Sequence, residues 1–212
     1  MSYYQTFNSF GYIIEDVPKE IMDTLWKEVK EIQKDFDHAS ATNHTLAGNI
    51  QREYSLKDSI SVVEPFAFNV AETYNELFKY NSNISVFKPG RLDFAVDTLW
   101  VNFQKKYEFN PAHTHLGLYS FVIYLQIPYD LNEELAASPG VNSNKNLASA
   151  FEFFYVNSFG KITKNPIFMD KTWEGKMLLF PAECMHEVHP FYTSDDYRIS
   201  VAGNIAIQAG SK

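Results

Sequence analysis

The chain has 212 residues, of which 45% are hydrophobic and 16% aromatic, so it is long enough for one domain and too rich in core-forming side chains for a disordered polymer. Its net charge of −8, from 18 basic and 26 acidic residues, argues against a dedicated nucleic-acid binder, which carries a basic face. A lone cysteine, Cys184, excludes an internal disulfide framework, no apolar run approaches the ~20 residues of a membrane helix, and the first residues lack a secretion signal, so a cytoplasmic protein without membrane or nucleic-acid partners is expected.

Residues 11–15 read as a short strand closed by Asp16-Val17-Pro18. Pro18 stands where a helix can begin, with Asp16 as candidate cap, and Ile21, Leu25, Val29 and Ile32 follow at helical spacing. Charged residues fill the other face, so this amphipathic helix is expected to lie on a sheet. Residues 37–52 are polar and read as a loop. A second helix is expected over about 60–80, with Val63, Phe66, Val70, Tyr74, Leu77 and Phe78 inward. Asn81-Ser82-Asn83 and Lys88-Pro89-Gly90 then punctuate a change of texture.

From about residue 93 the apolar period becomes that of strands. The expected strands are 93–104, 112–127, 150–156, 161–168, 175–181, 186–192 and 197–207, parted by turn-forming clusters such as Asn110-Pro111 and Ser138-Pro139-Gly140. About seven short strands of this kind imply a sandwich, barrel or jelly roll. The expected organisation is a single domain over 1–212, with 1–92 a helical support region and 93–208 the β core. The irregular stretch 129–149 is either a mobile lid or a surface insertion.

Three patterns could carry chemistry. In Asn110-Pro111-Ala112-His113-Thr114-His115, side chains at i and i+2 of a strand share a face, so His113 and His115 can approach one ion. Such a pair is by itself more often structural than ligating. Further on, Gly175 to Pro181 is a strand closed by proline, and His186, 71 residues beyond His115, starts the next one. His189 has the opposite parity and is expected to be a surface imidazole, and parity points Glu187 away from the pair. In Tyr197 to Asn204, alternation puts Arg198, Ser200 and Asn204 on one face and Ile199, Val201 and Ile205 on the other. A guanidinium and a hydroxyl aimed into a barrel suit a carboxylate, and the bland reading is an exposed edge strand.

Taken together, over residues 97–207, these pieces resemble the Fe(II)/2-oxoglutarate-dependent oxygenase superfamily, nearest to its small oxygenases from bacteria and marine phages. The resemblance rests on Trp100-Val101-Asn102, Asn110 to His115, Ser120 to Leu125, Gly175 to Pro181, His186 to Pro190 and Arg198 to Asn204, in that order. It implies a mainly β, α+β chain: a double-stranded β-helix, jelly-roll or cupin-like core packed on amphipathic helices. It implies Fe(II) as cofactor and 2-oxoglutarate as co-substrate. His113 and His186 stand at the superfamily's two metal-ligand histidines. Arg198 and Ser200 stand where the far carboxylate of 2-oxoglutarate is gripped, Tyr124 matches a strand tyrosine reaching the same group, and Asn102 lines the cavity.

The departure is His115, which occupies the position of the usual carboxylate ligand and leaves the metal centre one negative charge poorer. Two other readings follow from that: a cupin-like three-histidine enzyme that does not use 2-oxoglutarate, and a non-catalytic jelly-roll binding or virion-associated module. The primary substrate, a protein residue or a small molecule, is not readable from the sequence. Neither is the oligomeric state, with which a homodimer is compatible.

Overall fold

The computed structural model describes residues 10–37, 39–42, 48–83 and 93–208. Its elements are β1 (Ile13–Asp16), α1 (Lys19–Lys34), β2 (Glu53–Ser55), α2 (Ile60–Phe78), α3 (Tyr80–Asn83), β3 (Asp93–Gln104), β4 (Asn110–His113), β5 (Tyr119–Gln126), α4 (Leu131–Ala137), β6 (Ala150–Val156), β7 (Ile162–Phe168), β8 (Lys176–Pro181), β9 (His186–Val188) and β10 (Arg198–Gln208). The strands form two antiparallel sheets, one of six in the order β1-β8-β5-β10-β3-β2 and one of four in the order β4-β9-β6-β7. Together they make the expected double-stranded β-helix, mainly β with helices at the N-terminal side.

Strand parity decides what each face meets. Ile199, Val201 and Ile205 of β10 point outward into a core shared with Leu25 and Val29 of α1 and Val63, Val70 and Tyr74 of α2. Leu25 and Val29 are wholly buried, each worth about 1.5–3 kcal/mol relative to exposure. The inner face of the large sheet supplies Val122, Tyr124, Leu178 and Phe180 to a second core, which Phe151 and Phe153 of the small sheet complete. Asn102, Tyr124, Arg198 and Ser200 share this inner face of the large sheet.

The structure departs from the sequence expectations in several places. Asp16 does not cap α1: Pro18 is the cap residue without a side-chain bond, and the Asp16 carboxylate instead takes the Lys176 ammonium across the β1–β8 edge. In α2, Phe66 and Phe78 are half-buried and Leu77 is 68% exposed, because Ala67 and Ala71 complete the buried stripe. Asn81-Ser82-Asn83 lie in the short helix α3, while Lys88-Pro89-Gly90 fall outside the described residues. The first 92 residues also supply both edges of the large sheet, β1 and β2.

The expected strand 112–127 is two strands in different sheets. The chain turns the corner at Gly117, whose φ is +111° and where a Cβ would meet the Ile205 carbonyl oxygen at 2.9 Å, so only glycine fits. The strand expected over 186–192 ends at Val188, two residues before Pro190, which has no N–H to extend a ladder. Within 129–149 lies α4, capped by Asp130, whose side chain accepts from the Asn132 and Glu133 N–H groups. Glu134 of α4 is fully buried and accepts the backbone N–H groups of Tyr192 and Thr193 as well as the Thr193 hydroxyl. The insertion is therefore pinned to the chain segment leading into β10. Among the described residues, no helix is long and apolar enough to cross a membrane.

Candidate metal centre and carboxylate pocket

The β4–β9 ladder sets His113 directly opposite His186. His115 follows two residues later, beyond the end of β4, where its N–H donates to the Ala182 carbonyl (2.9 Å) and ties the corner to the β8–β9 turn. Ring centroids are 4.3 Å apart for His113 and His186, 4.9 Å for His113 and His115, and 5.1 Å for His115 and His186. One potential ligand atom of each ring lies within 4.8 Å of the others.

Backbone carbonyls set the tautomers of two of these rings. Nδ1 of His113 lies 2.7 Å from the Pro111 oxygen, and Nδ1 of His186 lies 2.9 Å from the Cys184 oxygen. A carbonyl only accepts, so both Nδ1 atoms carry hydrogen and the Nε2 lone pairs are left as ligand atoms. Burial first, then the neighbouring His113, pushes the His115 ring down to about 4, and the same two causes push His186 to about 3. His113 is also lowered by burial, against the Pro111 bond. All three rings are thus neutral, the metal-binding form, at physiological pH. Phe151 stacks on His186 at 5.0 Å, Phe180 packs edge-on at 4.8 Å, and Trp100 lies 6.0 Å from His115. Three neutral imidazoles in an aromatic wall fit a divalent transition metal and are poor company for Mg²⁺ or Ca²⁺, which take oxygen ligands.

Glu187 and His189 face away from the triad, as parity requires. His189 is not a simple surface imidazole: Nε2 lies 3.4 Å from Glu152 and 3.3 Å from Glu187, and Lys164 bonds both carboxylates.

The other end of the same cavity is built on β3, β10 and β5. Ser200 pairs with Asn102 on one side and Tyr124 on the other, which makes one cross-strand row, and Arg198 pairs with Gln104 in the next. All five, with the three histidines, line one pocket. Asn102 accepts from the Trp100 indole (3.1 Å) and donates to Ser200 (3.3 Å). Burial raises the Tyr124 phenol, and Arg198 opposes that shift, so its hydroxyl remains a donor. Arg198 is 2% exposed. Its Nε and Nη2 both donate to Gln104 Oε1 (3.0 and 2.7 Å), Nη1 to the Tyr129 hydroxyl (3.0 Å) and the Ser149 carbonyl (3.2 Å), and Nη2 to the His189 carbonyl (3.0 Å).

Gln104, Tyr129 and Ser149 were not singled out by the sequence reading. Gln104 shares parity with Asn102 and faces Arg198 in register, a signal available once the two strands are paired. Tyr129 and Ser149 lie at the ends of the irregular stretch, where no periodicity reports facing.

A second cleft, of about 570 Å³, adjoins the metal end. Trp100, His113 and His115 line both cavities, and Lys57, Asp97, Thr98, Leu116 and Asn204 extend the outer one.

Residues 98–204 match the family described as "Putative 2OG-Fe(II) oxygenase". Among solved structures, a prolyl-4-hydroxylase from Pseudomonas putida is similar over 94% of both chains, with 14% identity and a TM-score of 0.56. AviO1 from Streptomyces viridochromogenes is similar over 96% of this chain and 92% of its own, with 11% identity and a TM-score of 0.52. SnoN, a non-heme α-ketoglutarate-dependent epimerase from nogalamycin biosynthesis, is similar over 93% and 76%, with 8% identity and a TM-score of 0.52. At these identities the likenesses report the fold. No curated protein matches the chain by sequence.

Proposed function

Because the chain belongs to the family of 2OG-Fe(II) oxygenases, enzymes that use Fe(II) and 2-oxoglutarate, we propose that His113, His115 and His186 hold the iron and that Arg198, Ser200, Tyr124 and Asn102 form the seat of the co-substrate's far carboxylate. The observation that carries this reading is the single cavity with a neutral three-histidine cluster at one end and a buried arginine, untouched by any acid among the described residues, at the other.

Bound iron, with 2-oxoglutarate and dioxygen, supplies the oxidising power for attack on a substrate C–H bond. The chain contributes position and environment. Backbone carbonyls hold two imidazoles in the ligand tautomer, so metal binding there needs no proton release. Three neutral ligands leave the centre more positive than two histidines and a carboxylate would, which strengthens its attraction for a dianionic co-substrate. Arg198 fixes the far end and so cuts the entropy of reaching a reactive geometry. Phe151 and Phe180 keep water from His186, while His113 and His115 remain open to the outer cleft.

The 570 Å³ cleft is our candidate for the entry of the primary substrate, a protein residue or a small molecule, since it reaches His113 and His115 from outside. The core 93–208 carries all the proposed site residues, and the first 92 residues support it. The single free thiol, Cys184, supports a reducing, cytoplasmic setting.

The test is anaerobic titration of chelator-treated protein with Fe(II) and then 2-oxoglutarate, followed by air. One equivalent of metal, co-substrate binding that requires it, and succinate formation are expected. Metal binding without co-substrate binding or succinate would overturn the assignment of the carboxylate pocket.

A further inference from the structure

Arg198 is buried, yet every hydrogen it offers ends on a neutral oxygen. The five donors go to the Gln104 amide, the Tyr129 hydroxyl and the Ser149 and His189 carbonyls. The chain has 26 acidic residues, and among the described ones none touches this guanidinium. Buried charges are ordinarily matched by an opposite charge, because neutral hydrogen bonds satisfy geometry without cancelling the charge.

The most telling contact is Gln104. Its single Oε1 takes both Nε and Nη2, the edge of the fork that a carboxylate side chain would occupy. The amide cannot be turned around, because Nε2 donates to the Glu108 carbonyl at 2.6 Å. Gln104 is itself buried and lines the cavity. A glutamate of nearly the same shape would give up the donation to Glu108, make a closed ion pair with Arg198 and end its attraction for any other anion.

We infer that Gln104 is a specificity residue: being neutral, it meets the guanidinium without cancelling its charge, and so leaves the charge of Arg198 for the carboxylate of the ligand. This rests on the reading of Arg198 as the co-substrate anchor. The Tyr124 hydroxyl, with no hydrogen-bond partner among the described residues, supplies a further donor in the adjacent row.

The experiment is calorimetric titration of anaerobic, Fe(II)-loaded protein with 2-oxoglutarate, in wild type, Gln104→Glu and Gln104→Leu. Gln104→Glu should retain stoichiometric Fe(II) and weaken 2-oxoglutarate on the order of a hundredfold, through loss of the attraction between the uncancelled guanidinium charge and the ligand carboxylate. Gln104→Leu, which removes the acceptor and adds no charge, should stay within about tenfold of wild type. A merely structural role predicts at least as great a loss in Gln104→Leu, which keeps neither the acceptor nor the Nε2 donor, as in Gln104→Glu, which keeps the acceptor. Wild-type affinity in Gln104→Glu, or a loss in Gln104→Leu as large as in Gln104→Glu, overturns the inference while leaving Arg198 as anchor. A wild type that takes up Fe(II) but no 2-oxoglutarate overturns the anchor reading and the inference with it. Should Gln104→Glu not fold, Gln104→Leu decides: retained binding supports charge reservation, and a hundredfold loss removes it.

Discussion

His113 and His186 face each other as a cross-strand pair, and each donates its Nδ1 hydrogen to the carbonyl two residues before it. Two local turns of the same form thus aim two Nε2 lone pairs, whereas His115 sits beyond the strand on a single backbone bond. His113→Ala and His186→Ala should each abolish stoichiometric Fe(II) binding, and His115→Ala should retain a weaker fraction. Metal analysis after anaerobic loading checks this, and equal occupancy in the wild type and all three variants would remove the triad as the metal's seat.

The carboxylate pocket predicts a thermal shift. A ligand at 100 times its Kd stabilises the native state by about 2.7 kcal/mol. At about 2–4 °C per kcal/mol for a chain of this size, saturating 2-oxoglutarate should raise the Tm of Fe(II)-loaded protein by roughly 5–10 °C. Arg198→Ala should lose most of this increment, read against its own metal-loaded baseline, and Arg198→Lys should recover only part, because an ammonium lacks the fork by which Gln104, Tyr129 and the Ser149 and His189 carbonyls hold the charge in place. An increment in Arg198→Ala equal to that of the wild type would exclude Arg198 as the anchor.

Glu53 on β2 is 1% exposed, and burial first, then the nearby Glu108, raises its carboxyl to about 7. The unfolded chain ionises near 4.5, so between about pH 4.5 and 7 it releases a proton that the folded chain keeps. This contribution is therefore full below 4.5 and falls as pH rises through the window. Glu53→Gln should remove that slope and gain on the order of 1–3 kcal/mol at pH 8. Denaturant melts of metal-free protein across this range would show it. A wild-type-minus-variant difference that does not change with pH would refute it.

Glu134 fastens the 129–149 insertion. Glu134→Ala leaves the Tyr192 and Thr193 N–H groups without their acceptor and should cost about 2–4 kcal/mol. Limited proteolysis of this variant should begin within 129–149. Cleavage elsewhere first, at an unchanged Tm, would show that another contact holds the segment.

Much of this was readable from the residues. The α1 stripe of Ile21, Leu25 and Val29, the bounds of β3 and β6, and the division of β10 into Arg198-Ser200-Asn204 and Ile199-Val201-Ile205 follow from periodicity, which registers burial directly. The split between β4 and β5 does not, because both flanks have strand texture and only the φ of Gly117 marks the corner. The anchoring of Glu134 and the Arg198 contacts of Tyr129 and Ser149 also escaped, since irregular backbone has no period to report facing. Gln104 was legible only in register, once β3 and β10 are paired.

The same pairing of His113 with His186 has a kinetic consequence. The two residues are 73 positions apart, and among the described strands β4 pairs with β9 alone. Such a ladder contributes little until a long loop has closed, so its assembly belongs late on the folding path. An ion seated on that ladder stabilises contacts absent from the transition state. Added Fe(II) should then slow unfolding while leaving the refolding rate nearly unchanged, making the metal a clamp on the finished barrel and not a nucleus for it.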